Sequence, residues 1–324
     1  MQAIVHDRYG SLELLEQRTI DRPSVSEGQV LVRVRAAGIH VGDLFAIKGS
    51  PFPVRFMTGF LRPRRGVPGF DVSGVVEAVG SGVTEFQPGE EVLGVADGTC
   101  AEYTIARADL LVPKPARLTW EEAAAIPTSA LAALHGIRDA GRVRAGQRLL
   151  IIGASGGVGT YAVQIAHSMG AHVTAVCSGA NADLVRSLGA DEVIDYTRED
   201  PAAGGRQWDV ILDNIEDRPL AAVRRLLTAD GTLVLNSGTS SGGLTMLVNL
   251  VKPLILSRFS RQTLRRYLSN PRRADLQHLV ALVERGEMRP VIGACHPLAE
   301  TADAFRRIES GHARGKVVVT VAGA

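Results

Sequence analysis

With 324 residues, 45% of them hydrophobic and 22% charged, the chain has the length and apolar content for one large core or two ordinary ones. A formal net charge of +2 gives no reason to expect a nucleic-acid partner. Three dispersed cysteines, Cys100, Cys177 and Cys295, exclude both a disulfide framework and a four-cysteine zinc site, and fit a reducing cytoplasm. The sequence starts on a strand-like run, Met1 to Val5, and not on a basic region followed by an apolar stretch, so no secretory signal is expected. Its most apolar stretch, Leu244 to Leu256, is broken by Asn249, Lys252 and Pro253 and falls short of the ~20 residues of a membrane span. No integral membrane association is expected. The basic runs, Arg62, Arg64 and Arg65, then Arg258, Arg261, Arg265 and Arg266, read as solvated faces.

In chain order, Gln29 to Arg35 alternates, Val72 to Val79 is apolar around Gly74, and Glu91 to Val95 follows the turn Gln87-Pro88-Gly89. Short strands between glycine turns predict a small barrel-like domain. From Trp120 the period becomes helical, into Ile126-Pro127, and a second helix is predicted from Ala130 to Ala140. Strict alternation follows. Arg148 to Ile152, Val173 to Cys177, Val193-Ile194, Asp209 to Leu212 and Thr232 to Leu235 read as strands; Val158 to Met169, Ala182 to Leu188 and Arg218 to Leu227 read as helices. That order specifies a parallel sheet wrapped by helices. Beyond Ser269 come helices at Ala274 to Arg285 and Glu300 to Glu309, a Pro297 turn between them, and a last strand, Lys316 to Val321.

The sharpest motif is Gly153-Ala154-Ser155-Gly156-Gly157-Val158-Gly159, after a strand and opening a helix. Gly156 lets backbone approach a pyrophosphate, Gly159 permits close helix–strand packing, and the helix N-terminus offers free N–H groups to phosphate. An NAD-specific site carries an acid about 20 residues further on. Here the second strand ends Val176-Cys177-Ser178-Gly179-Ala180-Asn181, with hydroxyl and amide donors instead. NADPH is therefore the expected cofactor, with a site relaxed for either dinucleotide as the alternative.

At this point the residues resemble the zinc-independent medium-chain dehydrogenase/reductases, the quinone oxidoreductase (zeta-crystallin-like) family. The run from Gly153 to Ala166, Leu188-Gly-Ala-Asp-Glu-Val-Ile-Asp-Tyr196, Gly98-Thr-Cys-Ala-Glu-Tyr103 and Gly311-His-Ala-Arg-Gly-Lys-Val-Val318 carry the likeness. It implies an α/β protein with a GroES-like β-rich catalytic domain from both chain ends (1–118 and 271–324), a Rossmann domain between them (119–270), an active-site cleft, and a homodimer. Matched position by position, Ser155, Gly156, Gly157 and Val158 fall on the pyrophosphate turn, and Ser178, Asn181 and Tyr196 on the adenosine-phosphate end. Asn214, Asn236, Ser237 and Gly238 fall on the ribose and nicotinamide side, and Arg314 and Lys316 on a late basic pair near the cofactor. Simple surface polarity is the alternative reading of each. The stretch Leu244 to Leu256 reads as a pocket wall or dimer contact.

The resemblance also marks departures. Zinc-dependent relatives carry a Cys near residue 40 and a Gly-His-Glu triplet; this chain has His40, and Gly69-Phe70-Asp71. Phe70 cannot ligate a metal, and a zinc site needs three sulfur, nitrogen or carboxylate ligands. Without a Lewis acid, alcohol oxidation loses its usual driver, whereas hydride addition to a conjugated acceptor spreads the charge onto the acceptor oxygen. The expected activity is reduction of quinones or of the C=C bond of enones by NADPH. A non-enzymatic NADPH-binding protein and a zinc-free alcohol or aldehyde reductase are the alternatives. His40, where the family often has Asn, and Asp43 are the candidate catalytic residues. Against these roles stand a packed histidine bonded to a backbone carbonyl and a turn or helix-capping aspartate. Ala132 replaces a Thr near the nicotinamide.

Overall fold

In the computed structural model, which describes residues 1–64, 66–236, 260–311 and 313–322, the alternating apolar segments become strands. β1 (Gln2–Val5) and β2 (Glu16–Thr19) pair antiparallel. β3 (Gln29–Ile39) leads into helices α1 (Val41–Lys48) and α2 (Val54–Thr58), then β4 (Asp71–Val79), β5 (Glu91–Val95), β6 (Tyr103–Arg107), β7 (Leu111–Pro113) and helices α3 (Trp120–Ala124) and α4 (Pro127–Leu134). The middle of the chain alternates as β8 (Arg148–Ile152), α5 (Gly157–Ser168), β9 (His172–Cys177), α6 (Ala182–Ser187), β10 (Glu192–Asp195), β11 (Trp208–Asp213), α7 (Leu220–Arg225), β12 (Leu227–Leu235) and β13 (Thr263–Arg266). It closes with α8 (Arg273–Glu284), β14 (Ile292–Pro297), α9 (Thr301–Glu309) and β15 (Lys316–Thr320).

These elements form two compact units, Met1–Leu131 with Asn270–Gly286 and Pro290–Ala324, and Ala132–Ser269 with Glu287–Arg289. Residues 119–131 thus sit with the first unit, because α3 lies against β3 and β4, where the Ser73 hydroxyl donates to the Trp120 carbonyl.

In the first unit, a seven-stranded sheet runs β14-β15-β3-β4-β5-β7, with β6 also on β3. β3 organises it. Its first half pairs with β6, its last four residues with β15, and β4 covers nearly its whole length. Val30, Val32 and Val34 project into one core with Val72, Val76, Val92, Leu111, Val317 and Val319, as period-two alternation requires. α9 adds Phe305, fully buried, a burial that contributes about 3 kcal/mol. β15 brings the end of the chain beside β3, so both chain ends build this GroES-like unit.

The second unit is a six-stranded, all-parallel sheet in the order β10-β9-β8-β11-β12-β13. Numbered within the unit this is the doubly wound dinucleotide-binding order, whose direction reverses between β8 and β11. Leu150, Ile152, Val176, Ile211, Leu233 and Leu264 form its core. Two local readings change. The predicted Ala130 to Ala140 helix is α4 continued by a π-helical turn, His135–Ala140, in which the Gly141 N–H reaches the Gly136 carbonyl at 2.8 Å. The basic run near 261–266 is not a purely solvated face: Arg265 and Arg266 lie in β13, where Arg266 pairs with Glu216 and Arg265 donates to the Ala140 carbonyl. The segment Leu244 to Leu256 lies outside the described residues.

Gln164, buried in α5, explains why Glu287–Arg289 belong to this unit. Its Nε2 donates to the Arg289 carbonyl (3.0 Å) and its Oε1 accepts from the Arg289 N–H (2.8 Å). Gln164→Leu keeps the volume but strands both backbone groups, and is expected to cost about 1–3 kcal/mol. A urea titration that finds wild-type stability would show that the two bonds are dispensable.

Candidate active site

The carboxyl ends of β8, β9, β11 and β12 carry most of the polar residues singled out in the sequence. After Ile152 the chain turns at Gly153, whose φ of +76° lies in the left-handed region that disfavours side chains. Helix α5 then starts at an N-cap, Gly156, with no side-chain cap. Helix geometry leaves the N–H groups of Gly157, Val158 and Gly159 without intrahelical partners, aligned with the positive end of a twelve-residue helix. A Cβ on Gly156 would meet nothing closer than 3.4 Å, so the turn presents open backbone. At Gly159 it would meet the Gly153 carbonyl at 2.1 Å, so only glycine lets the helix pack this close to its own turn. These features fit a pyrophosphate.

Beside that turn, the Asn181 amide donates to both Ser155 Oγ (3.2 Å) and Ser178 Oγ (3.1 Å), tying the α5 turn to the end of β9. Tyr196, 54% exposed, follows β10. One residue here escaped the sequence reading. Asp195, at the end of β10, is held well within reach of Gly179, where an added Cβ would sit 2.4 Å from its Oδ2. Hydrogen bonds from Thr197 keep its carboxyl below the usual range, so it is ionised, and Arg198 lies 3.7 Å away. No local pattern marks it; the strand register sets Asp195 opposite Cys177.

On the other side of β8, Asn214 Nδ2 donates to the Ile152 carbonyl (3.0 Å) and Asn236 Nδ2 to Asn214 Oδ1 (2.7 Å), so the two asparagines clamp three strand ends. Asp213 below them accepts the N–H groups of Ile215 and Glu216, while burial raises its carboxyl pKa. Ser237 and Gly238 lie outside the described residues. The Ala132 carbonyl accepts the Tyr267 hydroxyl.

The first unit holds a second polar cluster. His40 is the N-cap of α1. Its Nδ1 accepts the Gly42 N–H at 3.0 Å, which places the proton of the neutral ring on Nε2. That Nε2 is buried and, among the described residues, has no hydrogen-bond partner, since Asp43 Oδ2 stands 3.6 Å away. The ring stacks on Phe70, centroids 5.8 Å apart. Asp43 accepts the His40 N–H (2.8 Å) through Oδ2, while its buried Oδ1 has no partner among the described residues. Its capping role is therefore visible in the geometry. Burial raises its carboxyl pKa, and the neighbouring Asp71 adds to the rise against the opposite pull of His40 and Lys316.

Lys316, matched to a cofactor contact in the sequence, is 2% exposed and directs its ammonium to Asp71 Oδ2 (3.2 Å) and Ser129 Oγ (3.0 Å). Arg314 is exposed. The cysteines offer no activated thiolate: burial pushes Cys177 up to about 11 and Cys100 well above its ordinary value. Among the described residues no three His, Cys, Asp or Glu side chains converge on one metal position.

Residues 26–116 match the alcohol dehydrogenase GroES-like domain family, and residues 188–319 the zinc-binding dehydrogenase family. The residues do not fit the zinc which that second name implies. Phe70 has no donor atom, and His40 has its Nδ1 lone pair turned to backbone. The chain is 32% identical to the spinach (Spinacia oleracea) "Quinone-oxidoreductase homolog, chloroplastic", across 98% of each chain. It is 34% identical to the mouse (Mus musculus) "NAD(P)H oxidoreductase RTN4IP1, mitochondrial", across 99% of this chain and 89% of that one. Its fold superposes on the structure of the quinone oxidoreductase from Coxiella burnetii with a TM-score of 0.87, at 28% identity and 99% coverage of both.

The raised Asp43 carboxyl has a consequence for stability. Between the ordinary value of 3.8 and the higher folded value, the folded state binds a proton that the unfolded chain has released, so stability falls as pH rises through that window. Asp43→Asn keeps an oxygen for the His40 N–H and removes the titration. The stability of the variant relative to wild type is expected to climb with pH across the window and then level off, read from urea midpoints. A difference independent of pH would show that Asp43 does not hold a proton on folding.

Proposed function

Since the chain belongs to the quinone oxidoreductase-like branch of the medium-chain dehydrogenase/reductase superfamily, we propose that it is a zinc-independent reductase that uses NADPH to reduce quinones or the C=C bond of enones. NAD(P)H-dependent oxidoreduction comes with the family. The observation that carries the zinc-free reduction of a conjugated acceptor is Phe70 stacked on His40 where a metal would need ligands. A conjugated acceptor tolerates hydride addition without a Lewis acid, because its own oxygen takes up the charge.

When bound, the dinucleotide supplies the hydride; the protein supplies binding, orientation and a proton route. The N–H groups at the start of α5 would hold the pyrophosphate. Ser155, Ser178 and Asn181 would take the adenosine phosphate, with Asp195 and its partner Arg198 next to Gly179 at the edge of that site, and Asn214 and Asn236 would face the ribose and nicotinamide. His40 Nε2–H, a buried donor without an acceptor among the described residues, is suited to the acceptor oxygen. Asp43 is then a positioning residue, since it fixes the backbone of His40.

A turnover assay over a panel of quinones and enones tests the reaction class; tight NADPH binding with no turnover on any acceptor would leave a binding protein instead. For the cofactor, Ser178→Asp adds a carboxylate beside that of Asp195 and should repel a 2′-phosphate. It is expected to shift the NADPH-over-NADH preference by about 1–3 kcal/mol toward NADH, the scale of a lost charge-assisted hydrogen bond. Equal wild-type affinities, or an unmoved ratio in the variant, contradict the NADPH assignment.

His40→Asn separates proton donation from orientation, because an amide can still hydrogen-bond the acceptor. Loss of a general acid is expected to lower kcat by about 10²-fold or more while KM changes little. An unchanged kcat reduces His40 to the cap of α1.

A further inference from the structure

Between Asp43 and Asp71 the sequence places five basic residues, Lys48, Arg55, Arg62, Arg64 and Arg65, with no acidic one, and five of the chain's eight phenylalanines. The structure leaves three of those rings in solvent. Phe52, Phe56 and Phe60 are 53%, 64% and 55% exposed and Leu61 is 84% exposed. The three rings touch one another, with centroids 5.7 to 5.9 Å apart, so they make one apolar patch rather than scattered side chains. Contiguous exposed apolar surface of this kind marks a binding face.

The patch stands on a braced platform. The Tyr9 hydroxyl bonds Thr58 Oγ1 (2.8 Å) and donates to the Gly59 carbonyl, and the Arg64 N–H closes the loop onto the Thr58 carbonyl at 2.7 Å. Arg55 donates to the Gly49 carbonyl (2.9 Å) with its guanidinium over Tyr9 and Phe52. Lys48 is taken up by Glu309. Arg62 and Arg64, by contrast, are exposed, and among the described residues neither is in an ion pair.

We propose that this face docks on an anionic phospholipid bilayer, with Phe52, Phe56, Phe60 and Leu61 entering the headgroup–acyl boundary and Arg62 and Arg64 on lipid phosphates. Aromatic and aliphatic groups flanked by cations are what an interfacial anchor needs. Arginine forks suit phosphate oxygens, and each cation near such a surface adds attraction. A second copy of the chain suits the patch less: a symmetric self-contact would set Arg62 and Arg64 near their own duplicates, and the segment between Asp43 and Asp71 carries no acid to offset them. The inference does not depend on the identity of the acceptor or the cofactor.

The test is co-sedimentation of the full-length protein with phosphatidylcholine vesicles, with and without phosphatidylserine. Wild type is expected on the phosphatidylserine vesicles, to be released by salt, and to bind phosphatidylcholine alone poorly. Phe56→Ser with Phe60→Ser, and separately Arg62→Glu with Arg64→Glu, are expected to weaken binding by about tenfold or more, with melting midpoints unchanged. Wild type that binds no vesicle overturns the proposal whatever the variants do, as does binding that both double variants retain. A serine pair that dissociates an oligomer without affecting vesicle binding assigns the patch to self-association. One that abolishes turnover of a water-soluble acceptor, again with vesicle binding intact, assigns it to the substrate path.

Discussion

The first unit is organised around a buried ion pair. Lys316 opens β15, Asp71 opens β4, and Ser129 and Thr128 stand in the first turn of α4. Asp71 Oδ2 takes the ammonium, and its Oδ1 takes the N–H and hydroxyl of Thr128. An ammonium and a carboxylate removed from water are retained only with their remaining bonds satisfied, and stripping one partner from such a pair costs about 3–5 kcal/mol. Lys316 is 245 residues from Asp71 and 187 from Ser129 along the chain, so the cluster fixes the last strand against β4 and the start of α4. Pro127, at the first position of α4, lacks the N–H that would compete there, and the helix N-terminus favours the carboxylate. The ammonium bonds Asp71 and only lends a weaker pull to Asp43, whose carboxyl burial drives toward its neutral form.

Much of the fold was legible because burial writes a period into the sequence. β3 alternates, and β8, buried along four of its five residues, is an unbroken apolar run. What the sequence hid are elements whose stability lies in pairing rather than in their own composition. β13 reads Thr-Leu-Arg-Arg, two cations that look like a solvated surface until Glu216 and the Ala140 carbonyl are brought beside them. β14 exposes every second residue and ends in proline, so it resembles a turn; its register on β15 makes it a strand.

The nucleotide rim divides in the same way. Gly153 and Gly159 were readable because backbone geometry forbids a side chain there, and a constraint of that kind leaves a mark on the residue itself. Ser155, Ser178 and Asn181 were readable as residue types, but their shared hydrogen bonds were not, since 26 residues separate Ser155 from Asn181. Asp195 was hidden by its own neighbourhood, within a run that read as a structural signature. Its carboxylate matters because β10 lies parallel to β9, a fact of sheet order that no local pattern carries.

His40 and Phe70 are best understood as one change. A histidine beside a second nitrogen or sulfur donor would keep a ring lone pair for a metal. With a phenyl ring at Phe70 the imidazole finds a flat apolar partner instead, and stacking fixes its plane. Nδ1 then turns to the Gly42 N–H, at the second position of α1, as an N-cap does, and the proton is left on Nε2. Leaving a buried N–H unpaired carries a penalty that packing alone does not explain. Asp43 is too far from that atom to relieve it, because its Oδ2 is already occupied by the His40 backbone. The two residues that offer a metal no converging donors here, a phenyl ring and an imidazole whose Nδ1 is turned to backbone, are thus the same two that leave the Nε2–H without a partner among the described residues.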